Sequence, residues 1–163
     1  MNQKTKQGRY SRLYGQLCDL LKKPGNSLSK MATISAVLHH KMECFFWCGF
    51  YLLDNGELIV GPYQGPVACQ LLAKDTGVCW AAIEAKETII VPDVHQFPGH
   101  IACDSRSKSE IVVPVRNNKG NIVGVLDVDS RDFDSFDEDD ARGLEKILGL
   151  LKIDQLMVNF PSS

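Results

Sequence analysis

The side chains of this chain best suited to chemistry are its six cysteines and three acidic residues near one hairpin. The cysteines sort by their neighbours. Cys18 falls on the apolar side of a helical pattern, and Cys44 and Cys48 flank Phe45, Phe46 and Trp47 in an apolar stretch; burial is the reading for all three. Cys69 follows Gln64-Gly65-Pro66, Cys79 begins a short helical segment, and Cys103 lies in a long loop. Cys103 has the surroundings of a nucleophile. His100 precedes it and Arg106 and Lys108 follow, and positive neighbours raise the thiolate fraction of a thiol. Pro98-Gly99 supplies a turn that can present the segment to a cleft. Structural zinc is the competing chemistry for His95, His100 and Cys103. It usually shows tighter ligand pairs, and the chain has no C-x-x-C.

The acidic residues are Glu110, Asp127 and Asp129. Two strands, SEIVVPV and NIVGVLDVD, are joined by a turn at Asn117-Asn118-Lys119-Gly120. Pairing Arg116 with Asn121 beside that turn sets Glu110 directly across from Asp127. Directly opposed residues share a face, and Asp129 joins them because side chains alternate along a strand. In a pocket, carboxyls so placed repel one another and at least one keeps its proton near neutral pH. Such a cluster can donate a proton, bind an ammonium or hold a divalent metal. Its bland alternative is a solvated sheet end; VLDVD, with two carboxylates inside an apolar strand, argues against that.

The elements that must position these groups follow from periodicity. Leu13, Leu17, Leu20 and Leu21 give residues 9–22 a helical spacing, which Lys23-Pro24-Gly25-Asn26 ends. A second helix, capped by Ser27, runs to about His40 with Leu28, Met31, Ile34, Val37 and Leu38 on its buried side. From Cys44 the texture becomes strand-like. CFFWCGFYLL turns at Asp54-Asn55-Gly56 into ELIVG, and a third strand is predicted near residues 67–72. Residues 77–85 read as a helix, TIIV as extended chain, and residues 92–108 as a long loop, the kind that is usually functional. The last helix starts from Asp137, or from Ser135 with Glu138, and carries Ala141, Leu144, Leu148 and Leu151 as its stripe. This order describes an α+β fold, an antiparallel sheet with helices mainly on one face.

Composition bounds the rest. The chain has 163 residues, 44% hydrophobic and 23% charged, as an ordinary globular protein does. No apolar run approaches the ~20 residues needed to span a bilayer. The first residues lack a secretory core, which makes the cytoplasm the expected address. Net charge is −2 but uneven: Lys4, Lys6, Arg9, Arg12, Lys22, Lys23 and Lys30 stand against Asp19 alone in residues 1–30. The bland reading of that basic helix is a solvated face. The acidic remainder disfavours nucleic-acid binding, and no membrane partner is expected.

The stretches WCGFYLL, GPYQGPVAC, GVCWAAI, VPDVHQFPGHIACDSRSKSEIVVPV and GVLDVDS resemble the free methionine-R-sulfoxide reductases, which are stand-alone GAF domains. The resemblance covers roughly residues 30–155, and the GHIACDS-x-S-x-SEIVVP block with LDVDS is specific to that family. It implies a GAF-like fold over 1–163, with an N-terminal helix and turn at 1–26, a core at 27–155 and a tail at 156–163. It implies reduction of the free amino acid. Cys103 matches the catalytic cysteine, Cys69 the resolving cysteine that closes a disulfide with it, and Cys79 a third cysteine that assists or substitutes in recycling. Glu110, Asp127 and Asp129 match the pocket carboxylates, and Trp47 and Tyr51 the aromatic wall. Thioredoxin as reductant, a homodimer and no metal or organic cofactor complete the implication. One departure stands out: Trp80 follows Cys79 where the family usually has glycine. The rival readings are a small-ligand sensor without chemistry and a Cys69–Cys103 redox switch.

Overall fold

The computed structural model describes residues 3–100 and 103–154, so the expected tail at 156–163 lies outside the described residues. In chain order the elements are α1 (Gln3–Leu20), α2 (Ser27–Lys41), β1 (Trp47–Asp54), β2 (Glu57–Gln64), β3 (Leu71–Leu72), α3 (Gly77–Ala85), β4 (Ile89–Val91), β5 (Ser109–Arg116), β6 (Ile122–Ser130) and α4 (Glu138–Leu148). The strands form one sheet in the order β3-β2-β1-β6-β5-β4, antiparallel at every neighbouring pair. The α+β class expected from the sequence is the one observed.

Alternation along the strands divides the molecule. Cys48 and Phe50 of β1, Ile111, Val113 and Val115 of β5, and Leu126 and Val128 of β6 face α1, α2 and α4. The helices answer with Tyr10, Leu13 and Leu17, with Met31, Ile34 and Leu38, and with Ala141, Leu144 and Ile147. Each large side chain fully buried here is worth roughly 1.5–3 kcal/mol of transfer free energy. The opposite face carries a second core: Trp47, Tyr51, Val112 and Val125 from the sheet under Val78, Cys79, Trp80 and Ala82 of α3. Three helices on one side and one on the other leave part of that second face uncovered by helix.

Several local expectations are corrected. α1 begins well before residue 9, and Cys18 on it is only half-buried, outside the core. The cap of α2 is Asn26, not Ser27; its side chain accepts the Ser29 N–H at 2.9 Å. β1 starts at Trp47, so half-buried Cys44 precedes the sheet. The third strand shrinks to Leu71–Leu72, because Val67 is 85% exposed and cannot pack on the pleat. The loop after β4 contains a 3-10 turn at Val94–Gln96, capped by Asp93. Asp137 caps α4, and its capping-box partner is Asp140 rather than Glu138.

Candidate active site

The β5–β6 hairpin brings the acidic residues to one face in a register shifted from the expected one. Glu110 pairs with Asp129, and Asp127 with Val112. Two one-residue changes produce the shift. Arg116 pairs with Ile122 instead of Asn121, and a bulge between Val115 and Arg116 adds another residue to β6. A shift of two preserves the face. The longer turn is held by Asn117, whose side chain accepts the N–H groups of Lys119 and Asn121. Across β6, Asp127 also pairs with Gly49 and Asp129 with Trp47, so the carboxyls alternate with aromatic and small residues.

Gly49 has a steric reason. A Cβ there would fall 2.2 Å from Cβ of Tyr63 and 2.8 Å from the Trp47 ring. Its absence lets the Trp47 indole lie stacked on both Tyr63 and Tyr51, at 5.3 and 5.8 Å between centroids. Trp47 Nε1 donates to the Pro66 carbonyl at 3.1 Å, and the Tyr51 hydroxyl donates to the Cys69 carbonyl at 3.1 Å. Both expected aromatics therefore fasten the segment that carries Cys69. Tyr63, not singled out from the sequence, completes the stack; its place in ELIVGPYQ shows period-two alternation and nothing more.

These groups line a cavity of about 210 Å³ with Cys69, Cys79, His100, Cys103, Glu110, Asp127 and Asp129 in its wall, below the roughly 300–1,000 Å³ of sites for drug-sized ligands. Its electrostatics are set by burial without a countercharge. Burial, then Asp127 and Asp129, pushes the Glu110 carboxyl well above the carboxylate range. Burial likewise raises Asp127, to about 6, with hydrogen bonding to Glu110 and Cys79 holding it down. Asp129 is raised well above its usual value by burial and by Asp127, against a hydrogen bond from Ser107. The Cys79 thiol is pushed up by burial and then by the three carboxylates. His100 Nδ1 lies 3.8 Å from Glu110 Oε2. Burial lowers the imidazole while it raises the carboxyl, so the two meet as neutral groups rather than as an ion pair.

Cys69 and Cys103 are joined by a disulfide, with 5.7 Å between Cα atoms. Cys18, Cys44, Cys48 and Cys79 are free. The positive surroundings expected for Cys103 are engaged elsewhere. Arg106 makes a two-pronged ion pair with Asp104, at 2.9 and 2.7 Å, and lies over the Phe46 ring. Lys108 lies over Phe133. His100 is the member of the expected set that reaches the pocket. Trp80, the departure from the family pattern, is a residue of α3 buried in the second core, with its indole N–H unpartnered among the described residues.

The arrangement combines a disulfide, carboxyls with raised proton affinity and an aromatic wall around a small cavity. Known proteins share the fold and much of the sequence around it. The GAF domain family model matches residues 34–153. A free methionine-R-sulfoxide reductase of Saccharomyces cerevisiae is 51% identical over 133 residues, 77% of this chain and 74% of that protein. GAF domain-containing protein A of Dictyostelium discoideum is 49% identical over 148 residues, 90% and 92% of the two chains. The X-ray structure of free methionine-R-sulfoxide reductase from Neisseria meningitidis in complex with its substrate superposes with a TM-score of 0.83 at 39% identity, covering 88% of this chain and 86% of that one. With the fold, the family model and these relatives in agreement, the chain belongs to the GAF-domain family and, within it, to the free methionine-R-sulfoxide reductases.

Proposed function

We propose that this protein reduces free L-methionine-(R)-sulfoxide to methionine, using Cys103 as the attacking thiolate and Cys69 as the resolving thiol. The observation that carries the reading is the Cys69–Cys103 disulfide on a pocket that also holds Glu110, Asp127 and Asp129. A sulfoxide sulfur becomes electrophilic when its oxygen is protonated, so thiolate and proton donor must meet the substrate together. Glu110, held protonated by burial and two carboxylate neighbours, supplies the proton to the sulfoxide oxygen. The Cys103 sulfur bonds to the substrate sulfur and then takes over its oxygen. The substrate gains two electrons and leaves as the thioether; Cys103, having lost two, becomes a sulfenic acid. Asp127, whose carboxyl is raised only to about 6, is ionised near neutrality and holds the substrate ammonium. Trp47 and Tyr51 pack the methyl-thio end.

Cys69 then attacks the Cys103 sulfur, water leaves, and the disulfide forms. An external dithiol, thioredoxin in this scheme, exchanges with it and restores both thiols. Cys79, buried beside the carboxyls with its pKa raised, stands in for Cys69 as a slower resolving thiol. The reaction belongs in the cytoplasm, where dithiol reductants keep exposed cysteines reduced. A homodimer joined through the helical side leaves the pocket face free.

The test is NADPH consumption with thioredoxin and thioredoxin reductase, supplying the R and S epimers of free methionine sulfoxide separately. Oxidation with the R epimer alone is the expected result; silence with both would overturn the reading. Cys103→Ser abolishes turnover. Cys69→Ser completes one turnover and then recycles poorly, as a rapid-quench measurement of methionine per protein would show.

A further inference from the structure

We propose that Cys79, Glu110 and Asp127 form a binding site for a thiophilic divalent cation of the zinc and cadmium class, and that its occupancy closes the pocket to substrate. One ligand atom from each of the three side chains lies within 4.8 Å of the other two, and all three residues are buried. A tetrahedral site with one sulfur and two oxygen ligands needs separations of roughly 3.3–3.8 Å, so side-chain rotations of about an ångström close it. The sheet fixes two of the ligands, since Glu110 on β5 and Asp127 on β6 lie on one face. α3 sets the third over them.

A second observation points to a ligand there. Asp127 is 93% buried (7% exposed), and its Oδ1 has no hydrogen-bond partner among the described residues. The partners that face this carboxyl are Glu110 and Cys79, the two other members of the set. A divalent cation seated among them is held by all three side chains at once. The thiolate selects against magnesium and calcium, which take oxygen ligands. The cavity side of the site leaves a fourth position for water.

The ligand set excludes Cys69 and Cys103, so the disulfide-linked protein takes up the ion as well. This separates the site from capture by an exposed dithiol. Binding of the ion does not depend on the proposed reaction. Closure of the pocket does rest on that reading, which assigns Glu110 and Asp127 to the substrate.

The experiment titrates Cd²⁺ alone into the full chain with the Cys69–Cys103 disulfide formed, following the ultraviolet thiolate-to-cadmium band. One equivalent per chain is expected. Cys79→Ser should abolish the band, and Asp127→Asn and Glu110→Gln should each weaken binding by about tenfold or more. No saturable uptake, or a full band in Cys79→Ser, overturns the site. Should Cys79→Ser fail to fold by circular dichroism, unchanged affinity in the two carboxamide variants overturns it instead. For closure, Cys103→Ser protein is titrated calorimetrically with free methionine-R-sulfoxide, with and without the ion. Loss of sulfoxide binding on cadmium loading is expected, and equal binding in both overturns closure. Absence of sulfoxide binding in the metal-free protein would count against the proposed function, while the cadmium titration still decides the site.

Discussion

Burial without a countercharge raises a carboxyl's affinity for its proton, and three such groups on one sheet face make the native state bind protons more tightly than the unfolded chain does. Glu110, Asp127 and Asp129 are all raised. Their contribution is therefore fully present below the unfolded carboxyl values of about 4. It is lost as pH rises through the native values, about 6 in the case of Asp127. Glu110→Gln should accordingly stabilise the fold at about pH 8, by roughly 1 kcal/mol, while lowering turnover about 10²–10⁴-fold. Thermal unfolding across pH and steady-state rates check the two halves. Stability that falls equally steeply in the variant would place the repulsion elsewhere. The shared face of these residues was legible in the sequence because alternation survives a shift of two. Their pairing was not, since neither the longer turn at Asn117 nor the bulge at Val115/Arg116 has a residue signature. The charge around Cys103 was misread for a related reason: Arg106 finds Asp104 two residues away, and spacing alone does not reveal which neighbour captures a guanidinium.

At the scale of elements, α1 is tied to the N-terminus of α4 by a buried polar clamp. Lys6 Nζ donates to Asp140 at 2.6 Å and to Asp137 at 2.9 Å, and the Tyr10 hydroxyl donates to Asp140 at 2.7 Å. Asp140 is fully buried and also closes the capping box of α4. Lys6→Met should cost about 3–5 kcal/mol, since it strands a buried carboxylate; urea denaturation measures the loss. Adding Asp140→Asn to Lys6→Met should recover part of it, and a strictly additive double variant would contradict the clamp. The sequence showed Lys6 only as one of seven basic residues in the first 30, on a helix read as a solvated face. Its partners lie more than 130 positions along the chain, beyond the reach of any local pattern. The helices themselves were legible, because α3 and the stripe on α4 depend on periodicity alone, whereas caps depend on which hydroxyl or amide first meets the free N–H groups.

Across the whole molecule, the sheet separates a helix-covered core from a working face, and its two edges are short strands, β3 of two residues and β4 of three. Short edges offer little template for further strand pairing. Among the described residues no helix is long and apolar enough to cross a membrane. The working face also holds both tryptophans, and they differ in what they can see. Trp47 lies in the wall of the pocket that contains the disulfide and grips the chain three residues before Cys69. Trp80 is outside that wall. Disulfides quench an excited indole by accepting an electron at short range, whereas thiols do so far less. Trp80→Phe leaves Trp47 as the sole indole, and its emission should brighten as a reductant opens Cys69–Cys103 and dim again on reoxidation. Emission indifferent to reductant would place the indole beyond quenching range. A stack of rings built to hold a loop thus serves as an internal fluorescent gauge, from which each cycle of the protein could be followed without a label.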